Sequence, residues 1–507
     1  MRQLAIWVGV VWWLALCRGD GLAAETRSAQ GDSRLNVLFI VADDLNNLLG
    51  CYGDSLARTP NIDRLAARGM RFEHAYCTFP LCGPSRNSFL TGLYPNSTGI
   101  LSNAQLFRQT IPSQHSMPQA FRLDGYFAAR VGKLYHYNVP KSIGTDGHDD
   151  PASWEVECNP AGADRLIEEP DIVTLRPRQF GGTLSWYASP RTDAEHTDGM
   201  LAADAEWILE RSAQRSDRPF FLAVGFFRPH TPYVAPRDPY FGWHPLEKMP
   251  VVTGVEADRA DIPAAALLSE KKEQAGMTET QRRECRQAYA ASISFMDAQV
   301  GRLLDTLDRL ELADNTVIVF TSDHGYHMGE HGLWQKQSLF EESARVPLVI
   351  VAPGVTQAGS VAATPVSQID LFPTLAELCR VVPPENLQGQ SLVPTLRDPA
   401  EPGRGWAITQ VVRRRRVEAE QQAFSGYSLR TRQFRYTEWD EGRAGRELYD
   451  HDVDPRELTN LAEDPAYADT VATLSTTLQE AAAGTLPANG TTPELAPGWW
   501  DINLTDP

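Results

Sequence analysis

L-N-V-L-F-I-V-A-D-D, residues 35–44, sets six apolar residues in a row and then two aspartates. A continuous β-branched run of this length reads as a strand buried on both faces, since a strand with one wet face would alternate. Four runs of the same kind follow: Gly125–Gly132 before Lys133, Arg218–Phe227 before Arg228-Pro229-His230, Asn315–Ser322 before Asp323-His324, and Val346–Gly354. Helical pattern separates them, above all from about Glu279 to Leu310, where Ala288, Ala291, Ile293, Phe295, Met296, Val300, Leu303, Leu304 and Leu307 recur at spacings of three and four. We read that helix as core cover without chemistry. A shorter helix follows around Ile369–Leu378, with Ser367 or Asp370 as its cap. The pattern is that of an α/β sheet covered by helices on both faces. In such sheets ligands bind beyond the carboxyl ends of the strands, which is where these ionisable residues stand.

Composition frames this reading. The chain has 507 residues, 42% hydrophobic and 22% charged, which suits one large domain and a smaller one. A net charge of −18 argues against nucleic acid or acidic membranes as general partners. An apolar run, Leu4–Cys17, follows Arg2 and precedes Leu22-Ala23-Ala24, so residues 1–24 read as a signal peptide and the protein as exported, to a periplasmic, extracellular or lysosome-like compartment. The run is too short for a transmembrane anchor. Six cysteines remain beyond Cys17, without disulfide-scaffold or zinc spacing. Around Pro383–Gly405 the composition shifts to Pro, Gly and charge, placing a catalytic domain at residues 33–400 and a smaller C-terminal α+β subdomain at 405–507. There, Tyr427–Trp439 alternates like one half-buried strand, and Glu447–Leu461 reads as turn-rich and then helical.

The chemistry begins with carboxylates. Asp43, Asp44 and Asp323 at strand ends supply three hard oxygen donors that would repel one another without a cation, and an all-oxygen set favours calcium or magnesium. Aspartates after a strand also cap helices, but that role does not account for Asp323 beside them. Cys82, in F-P-L-C-G-P-S-R-N-S-F-L-T-G (79–92), stands where Pro84 marks a helix start and Gly92 its end. A free thiol fits poorly here, because an exported protein exposes it to oxidation and a hard cation disfavours thiolate.

The stretch Cys82–Arg86 resembles the sulfatase signature C-x-P-S-R, with its trailing Leu90-Thr91-Gly92. The resemblance extends in order through Val41–Leu45, Gly132–His136, Arg228–Tyr233, Thr321–Lys336 and Glu447–Pro455. The sequence is identified as a member of the formylglycine-dependent sulfatases and is most similar to the iduronate-2-sulfatase group, through Asp323-His324. The resemblance implies an alkaline-phosphatase-like fold with a large mixed, mostly parallel sheet. It implies one Ca2+ per chain, held by Asp43, Asp44, Asp323, His324 and position 82. Cys82 would be converted to Cα-formylglycine (3-oxoalanine) by a formylglycine-generating or other sulfatase-maturing enzyme. Arg86 and Lys133 would orient the aldehyde hydrate, His136 would take a proton from it, and His230 and Lys336 would contact the sulfate, His230 protonating the leaving oxygen. The implied substrate is a sulfated carbohydrate, such as the 2-O-sulfate of a uronic acid in a glycosaminoglycan.

Other readings remain at this level. Another sulfated glycan, a phosphoester or phosphonate, or mere binding of sulfated glycans by an inactive surface protein would each use part of the same set. His327 and His331, in H-M-G-E-H-G, have a spacing that metal ligands use, yet the glycines favour a structural role or the rim of a substrate pocket. Arg413–Arg416 reads as a solvated loop, and Asn96, Asn489 and Asn503 begin glycosylation sequons. The loops 144–182 and 241–279, which would choose the sugar, carry no legible signal.

Overall fold

Val37, Phe39 and Val41 belong to one hydrophobic core and Leu38, Ile40 and Ala42 to another, all fully buried. Strand β1 (Asn36–Ala42) is therefore the shared wall of two cores, which is why its sequence has no polar alternation. The computed structural model describes residues 34–215, 217–417 and 420–494. The signal-peptide reading of residues 1–24, Cys17 and the Asn503 sequon lie outside them.

Seven further strands complete the main sheet: β2 (Met70–Phe72), β3 (Phe127–Gly132), β4 (Val156–Cys158), β5 (Phe220–Gly225), β6 (Thr316–Ser322), β7 (Leu348–Val351) and β8 (Ser360–Ala362). Their order is β8-β2-β7-β6-β1-β5-β3-β4. Only β7 runs antiparallel to its neighbours, β6 and β2, so the sheet is mixed and mostly parallel. All five apolar runs of the sequence are strands of this one sheet.

Helices α1 (Pro60–Arg68), α3 (Thr197–Ala213) and α4 (Glu279–Arg309) cover one face through Ile62, Leu65, Leu201, Ala205, Ile293 and Val300. Helices α2 (Cys82–Thr91) and α5 (Leu371–Cys379) cover the other through Phe89, Leu90, Leu371, Phe372 and Leu375. Each such fully buried Leu, Ile, Val or Phe side chain contributes on the order of 1.5–3 kcal/mol of transfer free energy. At the turn that opens α5, Asp370 Oδ2 accepts from the Ser367 amide at 2.9 Å. This is the mixed, mostly parallel sheet with helices on both faces that the resemblance implies.

A second sheet holds β9 (Trp406–Val417), β10 (Glu420–Thr431), β11 (Phe434–Trp439) and β12 (Arg446–Asp450), an antiparallel meander covered by α6 (Ala468–Gly484). Three expectations change here. Tyr427–Trp439 is a hairpin, not one strand, because Arg432-Gln433 turns the chain between β10 and β11. Glu447–Asp450 is a strand rather than a turn, its alternation too short to stand out from the acids around it. The arginines from Arg413 lie in β9 rather than in a loop, and Arg413 is buried.

The Asn96 sequon is also corrected as a modification site: Asn96 is buried, and its Nδ2 donates to Tyr427 Oη at 2.9 Å and Thr485 Oγ1 at 2.7 Å. The six described cysteines are all free thiols. No described helix is long and apolar enough to cross a membrane.

Candidate active site

Strand order brings the ionisable turns together. β6, β1, β5 and β3 are consecutive and parallel, with Ala42 opposite Ser322, Val41 opposite Gly225, and Gly132 opposite Gly225. Asp43-Asp44, Asp323-His324, Arg228–His230 and Lys133 therefore all leave the sheet at one edge. A Cβ on Gly225 would lie 1.9 Å from the Lys133 carbonyl oxygen, so only glycine lets these two strand ends close up. Asp44 adopts φ 64, a left-handed conformation that Asp tolerates better than most residues. Its carbonyl accepts from Tyr289 Oη at 2.7 Å, and the same hydroxyl accepts from the Asn46 amide at 3.0 Å. Tyr289 belongs to α4, so the long helix holds the Asp44 turn as well as covering the core.

Cys82 is the first residue of α2, two positions earlier than Pro84 would set the start. Pro84 still falls in the first turn, where no amide hydrogen is needed. Gly92 ends the helix at φ 70, as its position predicts. The Cys82 sulfur faces the strand ends, 3.4 Å from His324 Nε2, 3.8 Å from Asp43 Oδ1 and 4.0 Å from Asp44 Oδ1. Lys336 Nζ donates to this sulfur at 3.0 Å and to Asp44 Oδ1 at 2.5 Å. Gln335 and Gln337 flank Lys336, each at φ 73, a costly backbone for side-chain-bearing residues that marks a loop held in place by its surroundings.

Arg86, one turn along α2, is fully buried. Its Nε donates to Asp323 Oδ2 at 2.9 Å, its Nη2 to Asp43 Oδ1 at 3.2 Å and its Nη1 to the Lys133 carbonyl at 2.6 Å. Lys133 Nζ donates to Asp43 Oδ2 at 2.5 Å. His324 Nδ1 pairs with the Gly325 carbonyl at 2.9 Å, which places its proton there and leaves Nε2 as a lone-pair donor 3.3 Å from Asp44 Oδ1.

The carboxylates are not equivalent. Burial pushes all three up, but Arg86, His324 and the two lysines hold Asp323 well below the usual range, and Lys133, His230 and Arg86 hold Asp43 below it. At Asp44 burial wins over Lys336 and His324, and its carboxyl is raised. Asp44 Oδ2 is buried with no hydrogen-bond partner. Asp44, Cys82, Asp323 and His324 present ligand atoms within 4.8 Å of one another. An orphaned, buried carboxylate oxygen inside such a set fits a divalent cation. Asp43 lies beside this group with both oxygens engaged by Lys133 and Arg86.

Above the cluster opens a cavity of about 590 Å3, lined by His136, Asn138, His230, Lys271 and Lys336, among others. Its walls come from the two loops that carry no sequence signal, through Gly181-Gly182 and Leu268–Lys271. His136 is driven well below its ordinary pKa by burial, then by Lys133 and His148, so it is neutral at pH 7 and able to accept a proton. His230 Nδ1 pairs with the Thr231 carbonyl at 2.5 Å, leaving Nε2 3.7 Å from Asp44 Oδ2. Burial lowers His230 also, so without substrate it is neutral.

His327 and His331 stand apart from this centre. Despite burial, Asp258 and Glu342 push His331 up to about 10, making it an imidazolium 3.1 Å from Asp258 and 3.6 Å from Glu342. Tyr289 and Gln368 are the positioning residues that sequence reading missed. Gln368 Oε1 accepts from Ser85 Oγ at 3.2 Å, and its amide donates to the Ser322 carbonyl at 2.5 Å, tying α2 to the end of β6. An apolar-faced helix and a cap-like Ser-Gln pair give no local sign of either role.

A sheet edge of this kind, with acidic and imidazole ligand atoms gathered around a cysteine at a helix start, fits a class of ester hydrolase. The chain belongs to the sulfatase family: the Sulfatase profile matches residues 35–381, and the N-sulphoglucosamine sulphohydrolase C-terminal profile matches residues 329–484. It is a sulfuric ester hydrolase. Human iduronate 2-sulfatase is 32% identical, over 90% of this chain and 96% of its own length. A sulfatase of Formosa agariphila is 33% identical, over 88% and 86%, and the choline-sulfatase of Rhizobium meliloti 32%, over 85% and 83%. Among solved structures, the phosphonate monoester hydrolase of Agrobacterium radiobacter superposes with a TM-score of 0.72 at 26% identity, covering 89% of this chain and 96% of that one. A 2-O GAG sulfatase superposes with a TM-score of 0.68 at 23% identity, covering 89% and 92%, a likeness of fold alone.

Proposed function

We propose that this is an exported, calcium-dependent sulfatase that removes the 2-O-sulfate of a uronic acid, such as iduronate, from a glycosaminoglycan or related polysaccharide. The observation that carries the metal and the reaction is the orphaned Asp44 Oδ2 within the Asp44, Cys82, Asp323 and His324 cluster at the floor of a polar cavity. The substrate reading draws on the likeness to human iduronate 2-sulfatase over nearly the full length of both chains. Domain limits of 33–400 and 405–507, and export through residues 1–24, belong to the same proposal.

In this reading Asp43, Asp44, Asp323 and His324, with position 82, hold the cation, which when bound offsets negative charge on the sulfuryl oxygens. Cys82 is the precursor of Cα-formylglycine, made by a sulfatase-maturing partner. Its hydrate supplies two geminal hydroxyls, one to attack sulfur and one whose deprotonation lets sulfate leave without a second attack by water.

Neutral His136 accepts that proton, and Arg86 and Lys133 fix the nucleophile. Lys336 lies against position 82 and Asp44, so its ammonium meets the sulfate oxygens. Such preorganised charge is worth several kcal/mol in a site closed to water. His230 protonates the leaving oxygen at Nε2, which requires the bound sulfate to raise its pKa from the lowered value of the empty site.

The test is mass spectrometry of the peptide containing position 82, together with sulfate release from 2-O-sulfated uronate disaccharides. Unmodified cysteine in active enzyme overturns the mechanism, and inactivity on uronate sulfates with activity on other sulfated sugars overturns the substrate. A phosphonate or phosphoester reading is favoured by one observation, the likeness to the Agrobacterium phosphonate monoester hydrolase. Turnover of aryl sulfate against aryl phosphonate decides between them.

A further inference from the structure

Among the described residues, Lys271 is a cation that forms no ion pair with a carboxylate. It lines the same cavity as Lys336, His136 and His230, and its Nζ donates to the Gly182 carbonyl across the two loops. Among the described residues no carboxylate forms an ion pair with it. The two acids that flank it in sequence are engaged elsewhere. Glu270 is held by Arg259 through two hydrogen bonds of 3.2 and 2.7 Å, and Glu273 accepts from Thr183 Oγ1 at 3.1 Å. Burial brings the Lys271 ammonium down to about 8, and the nearby charges of Lys336 and Arg176 act in the same direction, against Glu273 and Asp44. A partly buried ammonium held on one carbonyl is incompletely solvated, and an anion in the cavity would restore that solvation.

The cavity thus carries two cationic stations with different partners. Lys336 is committed to Asp44 and Cys82 at the floor, where a sulfate reacts. Lys271 is on the wall, bound only to a neutral carbonyl. A neutral sugar with one sulfate would satisfy the first and leave the second unpaired. A sugar ring bearing a sulfate and a carboxylate would satisfy both.

We propose that Lys271 binds the carboxylate of the sulfated ring and so selects uronic acid sulfates over sulfates of neutral sugars. This rests on the uronate reading above and adds the residue that enforces it. Lys271 is a specificity residue that touches substrate without joining the chemistry. A sulfate on a neighbouring sugar could also supply the second anion, so substrates of a single ring separate the two sources.

The experiment compares a 2-O-sulfated uronic acid monosaccharide with its carboxyl-reduced counterpart, in the matured holoenzyme. In the wild type kcat/KM should favour the acid by about tenfold or more, the size of one good charge contact in a closed site. In Lys271→Met that preference should fall about tenfold, through KM rather than kcat, and Lys271→Arg should retain part of it. Lys271→Gln serves as a second variant should the methionine variant fold poorly, with thermal midpoints reported for both. An unchanged preference in Lys271→Met and Lys271→Gln, or an equal loss on both substrates, overturns the assignment of Lys271. A wild type that cleaves aryl sulfate but neither uronate overturns the uronate reading itself, and with it this inference.

Discussion

Arg413, on β9 of the C-terminal sheet, donates through Nη2 to the carbonyl of Gln337, the residue after Lys336, and through Nε to the Ala265 carbonyl at 3.3 Å. A side chain from one sheet thus fixes the strained loop that presents a lysine to the site of the other. Arg413→Leu should lower kcat by about tenfold or more, because a displacement near 1 Å of a positioned charge has effects of that order. The check is steady-state sulfate release with the thermal midpoint measured alongside. Full activity in a folded variant would show that the loop holds its conformation unaided.

Asp44 gives a signed test of the cation site. Its raised carboxyl and unpartnered Oδ2 are a liability when no ion is bound. In EGTA, Asp44→Asn should therefore be no less stable than the wild type. Added calcium should raise the wild-type thermal midpoint by several degrees through mass action, and should leave the variant unmoved. Differential scanning fluorimetry over a calcium series reads both, independently of turnover.

Gly225 is constrained by distance rather than by dihedral angle. A methyl group there would press on the Lys133 carbonyl, which also accepts from Arg86. Gly225→Ala should cost roughly 1–3 kcal/mol of stability by overpacking and reduce sulfate release by more than the stability loss accounts for. Urea titration and kinetics on the same preparation separate the two effects.

Stability in acid should be set in part by Glu457. Arg435 and His451 hold this buried carboxylate down to about 2 against the opposing effect of burial. A folded pKa below the unfolded one stabilises above about 4.5, and that contribution is lost as the pH falls from there through 2. Glu457→Gln should cost about 3–5 kcal/mol at pH 7 by leaving Arg435 underpaired. It should also flatten the dependence of stability on pH below 4.5. Urea midpoints between pH 3 and 7 test both statements.

Much of this was legible because burial on two faces leaves an unmistakable mark. Runs such as Val37–Ala42 and Thr316–Ser322 could only be central strands, and the acids that end them could only lie at the sheet edge. What failed to show was anything carried by contact across the chain. Tyr289 reads as one more apolar position of α4 until its hydroxyl is seen bridging Asp44 and Asn46. Arg413 reads as one of four like charges until β9 folds it inward. The hairpin of β10 and β11 lacked a glycine or proline turn, so its alternation ran on unbroken. The cavity walls come from loops whose conformation is set by what they lean against, and Lys271 and Gly182 meet although they are 89 positions apart in the sequence.

All ten residues of α2 are buried, and Cys82 has no exposed surface. If position 82 is rewritten by a maturing partner, as proposed, that partner must reach a side chain with no exposed surface. In the folded protein it would have to extract a helix from between a sheet and the loop of Lys336. On that proposal modification and folding would compete in time. A chain that folds first would, on the same proposal, keep the thiol, and the yield of active protein would depend on the interval between the emergence of Arg86 and the closure of β6 beside β1, some 230 residues later in synthesis. Slower folding would then favour the active form, and a variant that folds faster would yield less of it.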